Sequence, residues 1–124
     1  MKRILFISKS HLCHNLLQAV MTLIQKKGEA VCAESVDEAL LLPRRGAPFR
    51  LILVDWNALA EEKNGVEETA KLGGHRLLAP AARILLHSRG TALPDQALKE
   101  QNFSAFYAKP FLVEELAKII EDHL

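Results

Sequence analysis

Cysteine is scarce in this sequence. The two residues, Cys13 and Cys32, cannot form a disulfide framework, and neither sits in a CxxC pair. Both are expected to be small buried thiols. An excess of one charge is also missing. Sixteen Lys and Arg face fifteen Asp and Glu, a formal net charge of +1. Nucleic-acid binders usually carry a basic face or stripe, so this balance gives no reason to expect nucleic acid as a direct partner. No apolar run comes near the ~20 residues of a membrane span. Met1-Lys2-Arg3-Ile4-Leu5-Phe6-Ile7 starts like a signal peptide. Ser8-Lys9-Ser10-His11 then ends the apolar stretch early, with no small-residue cleavage site. A cytoplasmic protein with no membrane partner is expected.

What is present is ordinary for a globular chain: 124 residues, 49% hydrophobic and 25% charged. That length suits one domain, residues 1–124, with a core that needs no staples. Strand and helix signals alternate from end to end. Residues 3–7 read as a buried strand. From Ser10 to Lys27 the apolar positions recur at helical spacing, and Gly28 stops the pattern. A weaker strand at Ala30–Glu34 is followed by Ser35-Val36-Asp37-Glu38, a capping box. The helix it opens is expected to end between Pro43 and Gly46.

Arg50–Val54 is the clearest strand, followed by a polar loop from Asp55 to Gly65. A helix is predicted from about Val66 to Leu72, stopped by Gly73-Gly74 and resuming through Leu77-Leu78. Arg83–His87 is the fourth strand. Pro94 suits the first turn of a helix ending at Gln101, with Asn102 as a left-handed C-cap. Ala105–Ala108 is the last strand. A helix from Phe111 to Leu124 should turn Leu112, Leu116, Ile119 and Ile120 inward.

Near-continuous apolar strands joined by helices call for a parallel sheet covered on both faces. The leading topology is a doubly wound α/β fold: three layers, five parallel strands, order 2-1-3-4-5. Its functional site lies past the carboxyl ends of the strands. Ser8, Lys9 and Ser10 follow the first strand, and Asp55, Trp56 and Asn57 the third. Ser88 and Arg89 follow the fourth, and Lys109-Pro110 the fifth. A carboxylate, several hydroxyls and two ammonium groups therefore converge on one end of the sheet.

These stretches resemble the receiver (CheY-like) domains of two-component response regulators, over the full length of the chain. Leu51-Ile52-Leu53-Val54-Asp55 resembles the strand that presents the phosphoacceptor. Ile84-Leu85-Leu86-His87-Ser88 resembles the strand ending in the hydroxyl switch residue. Phe106-Tyr107-Ala108-Lys109-Pro110-Phe111 resembles the switch aromatic and the Lys-Pro-Phe ending. The resemblance implies that Asp55 accepts a phosphoryl group from a histidine kinase. It implies that Ser88 and Lys109 bind phosphoryl oxygens and that Phe106 is the switch aromatic. Phosphoryl transfer depends mainly on positioning and charge stabilisation, which such groups supply.

The family holds Mg²⁺ with two carboxylates after the first strand. Here those positions are Ser8 and Lys9. A hard, strongly hydrated dication wants carboxylate oxygens, and an ammonium repels it. Lys9 and Lys109 are therefore expected to bracket Asp55 in place of the cation. The loop after Asp55 also lacks the family's Met-Pro pair, having Ala58-Leu59. The resulting expectation is an atypical bacterial receiver, not an enzyme, acting as a protein-interaction module with weak or no phosphorylation and no cofactor.

The alternative is a working receiver phosphorylated on Asp55 with Mg²⁺. A flavodoxin-like binder of a nucleotide or flavin ranks last, because Ser8-Lys9-Ser10-His11 holds no glycine to cradle phosphate. The resemblance places the output face on the fourth helix, fifth strand and fifth helix: Lys99, Phe103, Tyr107 and Glu114. A protein partner or a second copy is expected there. Trp56 either anchors a partner or packs on the neighbouring loop. His11 and His14 have a usable ligand spacing near Cys13, but no third strong ligand accompanies them, so no metal site is expected.

Overall fold

A computed structural model of the chain describes residues 2–9, 11–23, 28–56, 65–109 and 112–123. The strands are β1 (Lys2–Ile7), β2 (Gly28–Ala33), β3 (Leu51–Asp55), β4 (Ala82–Ser88) and β5 (Phe103–Lys109). The helices are α1 (His11–Leu23), α2 (Val36–Leu40), α3 (Gly65–Ala70), α4 (Asp95–Glu100) and α5 (Val113–His123). All strand pairs are parallel, in the order β2-β1-β3-β4-β5. This is the predicted doubly wound topology. Expected residues 24–27, the loop at 57–64, and Pro110 and Phe111 lie outside the described residues.

Alternation along the central strands builds two cores. Leu5, Ile7, Ile52, Val54 and Leu85 face a cluster that contains Val36, Leu72 and Leu98. Ile4, Phe6, Leu51, Leu53, Ile84 and Leu86 face Leu17 and Val20 of α1 and Leu116 and Ile120 of α5. Strands buried on both sides need unbroken apolar sequence, which is why β3 and β4 were the easiest to read. Burying each such Leu or Ile contributes about 1.5–3 kcal/mol.

Local chemistry sets the ends. The Glu38 N–H donates to Ser35 Oγ at 3.0 Å, and Glu38 Oε2 accepts from the Glu34 N–H at 3.2 Å. The capping box thus closes one residue early on its return side. Asn102 sits at φ 68°, the left-handed turn that brings the chain from α4 into β5.

Several expectations are corrected. α2 stops at Leu40, because the Leu41 and Leu42 N–H groups bond three residues back, to Glu38 and Ala39. Pro43 then disfavours helical backbone at Leu42. The helix expected to resume at Leu77-Leu78 is a turn, tied by Leu78 N–H to His75 O at 3.0 Å. A 3₁₀ segment, Lys71–Gly74, follows α3 instead. Leu112 is 65% exposed, since it lies before the first turn of α5 and outside its apolar stripe.

Candidate functional site

The register brings four strand ends together. Ile7 lies beside Val54, Asp55 beside Leu86, and Ser88 beside Lys109. The Ser8 N–H donates to Ala33 O at 2.9 Å, which fixes the turn out of β1 against β2. Ser8 is fully buried, and Asp55 is 3% exposed.

Both oxygens of the Asp55 carboxylate are held. Ser8 Oγ donates to Oδ2 at 2.8 Å. Lys109 Nζ donates to Oδ1 at 2.6 Å, a short charge-assisted bond. The Lys109 side chain keeps 25% of its surface exposed, against 5% for Asp55. The ammonium therefore reaches in from the solvent edge along its aliphatic stem. Lys9, the other half of the expected bracket, is exposed beside this turn.

The remaining predicted residues take different places. Ser88 is exposed at the end of β4. Phe106, beside Leu85 in register, is half-buried against the core shared by α2 and α4. Trp56 is 5% exposed, so it is not a surface anchor. Its indole lies where a Cβ on Gly65 would sit 2.5 Å from the ring. The glycine is what lets the ring adjoin the start of α3. Phe103 is 3% exposed and belongs to the core, which removes it from the expected output face. As the first residue of β5 it pairs with Arg83, and its ring faces inward among Leu98 and its neighbours. Lys99 and Glu114 are exposed, and Tyr107 is half-buried.

An open groove of about 380 Å³ runs between β5 and α5, lined by Tyr107, Ala108, Glu115, Lys118, Ile119 and Asp122. Among the described residues, no group of three His, Cys, Asp or Glu could hold a metal ion. The side chains of His11 and Cys13 lie outside that description. His14 packs edge-on to Phe6 with ring centroids 6.3 Å apart.

Sequence reading missed the part-buried polar ties at the opposite end of the sheet. Thr69 Oγ1 donates to Gln101 Oε1 at 2.5 Å, and Gln101 Nε2 donates to Val66 O at 2.9 Å. Arg83 Nη1 donates to Gln101 O at 2.9 Å. These bonds join α3 to the end of α4. Burial lowers the Arg83 guanidinium from its ordinary value. The signal available was an arginine at the start of an otherwise apolar strand. His75 was missed too. It is fully buried, with Nδ1 accepting from the Leu77 N–H at 3.1 Å. That leaves Nε2 to carry the proton toward Leu42 O, 3.0 Å away.

No protein-family model and no curated protein sequence matches the chain. Solved structures do. The chemotaxis response regulator CheY4 of Vibrio cholerae superposes with a TM-score of 0.79 at 20% identity, covering 100% of this chain and 99% of that one. The chain has the CheY-like receiver fold. A signal receiver domain of two-component signal transduction (histidine kinase) from Clostridium thermocellum gives 0.78 at 15% identity, with 99% and 97% covered. The Mn²⁺-bound response regulator Rcp1 gives 0.70 at 22% identity, with 98% and 91% covered. In this receiver fold Asp55 stands at the end of the third strand, where the fold gathers its polar residues. Among the described residues, no helix is long and apolar enough to cross a membrane.

Proposed function

We propose that the chain is a receiver domain of two-component signalling that works as a protein-interaction module, with weak or no Mg²⁺-dependent phosphorylation. The observation that carries this reading is the double hold on Asp55 by Ser8 and Lys109. A Mg²⁺ site of this kind uses one or two carboxylates plus phosphate oxygens. Around Asp55 the positions that would supply the second and third carboxylates carry a hydroxyl and an ammonium, Ser8 and Lys9. The residues present do not fit a divalent cation. At about 4 Å and an effective dielectric near 20, each like-charge contact opposes the ion by ~4 kcal/mol per unit charge.

In this reading Asp55 is a structural anion. It fixes Lys109 at the end of β5. The partner-binding face is formed by α4, β5 and α5, with Lys99, Tyr107 and Glu114 as its polar and aromatic contacts. The groove beside Tyr107 is lined by the apolar Ile119 and by the charged Glu115, Lys118 and Asp122. The occupant is a protein partner or a second copy of the chain. The domain turns over no substrate and works in the cytoplasm.

A working receiver, phosphorylated on Asp55 by a histidine kinase, is the second reading. It is favoured by the placement of Asp55 and Lys109 alone.

The two readings separate in a Mg²⁺ titration followed by Trp56 emission. Trp56 is buried directly after Asp55 in the chain, so it reports on that carboxylate. The module reading gives a flat response through millimolar metal. Saturable quenching, lost in Asp55→Asn, supports the working receiver.

A further inference from the structure

The sequence holds seven arginines, and their distribution is lopsided. Arg89 alone follows a strand end on the Asp55 side. Arg3, Arg50 and Arg83 stand at the amino ends of β1, β3 and β4, and Arg44, Arg45 and Arg76 lie in the loops leading into β3 and β4. Residues 39–54 and 69–94 contain no Asp or Glu. The near-zero net charge of the whole chain hides this segregation.

The fold stitches the two loops into one surface. Phe49 N–H donates to Leu77 O at 2.8 Å, and Arg44 Nη1 donates to Gly74 O at 3.1 Å. Arg50 N–H donates to Arg3 O at 2.8 Å, and Ala82 N–H to Arg50 O at 3.1 Å. The Arg3 guanidinium lies 4.1 Å from the centre of the Phe49 ring and donates to Ala47 O at 3.2 Å. Arg44, Arg45, Arg50 and Arg76 are exposed on this surface. Glu29, opposite Arg3 in register, leaves the arginines in clear excess. Leu41, at the head of the same loop, is 84% exposed.

We propose that this end of the sheet docks an acidic, leucine-bearing segment of a protein partner. Guanidinium forks pair bidentately with carboxylates and lose less freedom per bond when already oriented. Arg44 and Arg3 are so oriented, by bonds to backbone carbonyls. Leu41 decides between polyanions. A polynucleotide backbone gives a lone leucine nothing to bury against, whereas an amphipathic acidic peptide does. The surface lies at the opposite end of the strands from Asp55, so the inference stands apart from the phosphorylation question.

The test uses the full chain and a fluorescein-labelled peptide of repeated Glu-Glu-Leu, read by anisotropy. Oligo-dT and phosphatidylserine vesicles serve as competing polyanions. The peptide should bind, more weakly as salt rises. Arg44→Glu/Arg45→Glu/Arg76→Glu should lose at least about tenfold in affinity. Arg45→Glu/Arg76→Glu, which keeps the Arg44–Gly74 bond, should lose several-fold, as should Leu41→Ser. Arg89→Glu should bind as the parent does. The proposal is overturned if the parent fails to bind the peptide or if charge reversal leaves affinity unchanged in variants with native circular dichroism. It is equally overturned if oligo-dT or the vesicles bind as tightly as the peptide.

Discussion

Removing Lys109 should cost more stability than removing the charge of Asp55. The carboxylate is 5% exposed and cannot reach water without opening the site. The lysine is 25% exposed and can swing its ammonium outward. Lys109→Met therefore takes the Lys109 countercharge from a buried anion. Breaking a buried pair in this way costs about 3–5 kcal/mol, and the partial exposure of Lys109 favours the low end. Asp55→Asn leaves a neutral amide that still meets the Ser8 hydroxyl, at a cost of about 1 kcal/mol. For a domain of this size, each kcal/mol moves Tm by roughly 3–6 °C, so Lys109→Met should lose about 10–15 °C. The double variant should lie near Asp55→Asn, a coupling of about 3 kcal/mol. Urea and thermal unfolding at pH 7, followed by Trp56 emission and circular dichroism, give all four values. Asp55→Asn costing more than Lys109→Met, or strict additivity, would refute the reasoning.

Gly65→Ala should destabilise by about 1–3 kcal/mol and shift Trp56 emission, because the added methyl meets the buried indole. Unchanged emission and unchanged Tm would contradict that packing. Phe103→Ala should cost about 3–5 kcal/mol as a core truncation. Tyr107→Ala, half-exposed, should cost clearly less in the same urea series. Burial raises the Cys32 thiol above its ordinary value, so less thiolate is present at any given pH near 8. In a Cys13→Ser background, alkylation at pH 8 should run roughly tenfold slower in native protein than in urea. Equal rates would place Cys32 in solvent.

Most of the fold was legible because each strand near the sheet centre announces itself twice. Leu51–Val54 and Ile84–Leu86 are apolar at every position, and only a strand covered on both faces requires that. Capping chemistry did the same for Ser35 and Asn102. Failures came where tertiary packing outweighs a local pattern. Phe103 looked like an addition to a surface because β5 is an edge strand, yet its ring fills the core beneath α4. Leu112 fitted the α5 stripe in spacing but precedes the helix. Trp56 could not be placed from sequence, since its burial depends on the absence of a side chain at Gly65.

At the site, the strand-end rule singled out Asp55, Ser8 and Lys109, which the structure brings into contact. It also singled out Lys9, which lies at the solvent edge of the same turn. The arginine-rich surface was invisible to whole-chain charge because it forms only when two separate loops are bonded together.

The central claim is that Ser8 and Lys109 hold Asp55 as a fixed anion where a phosphoacceptor would need a metal. Incubation with acetyl phosphate and Mg²⁺, read by intact mass on the parent chain and on Asp55→Asn, tests it most directly. The account predicts that each protein keeps its own untreated mass. A gain of one phosphoryl group on the parent, absent from Asp55→Asn, would contradict it.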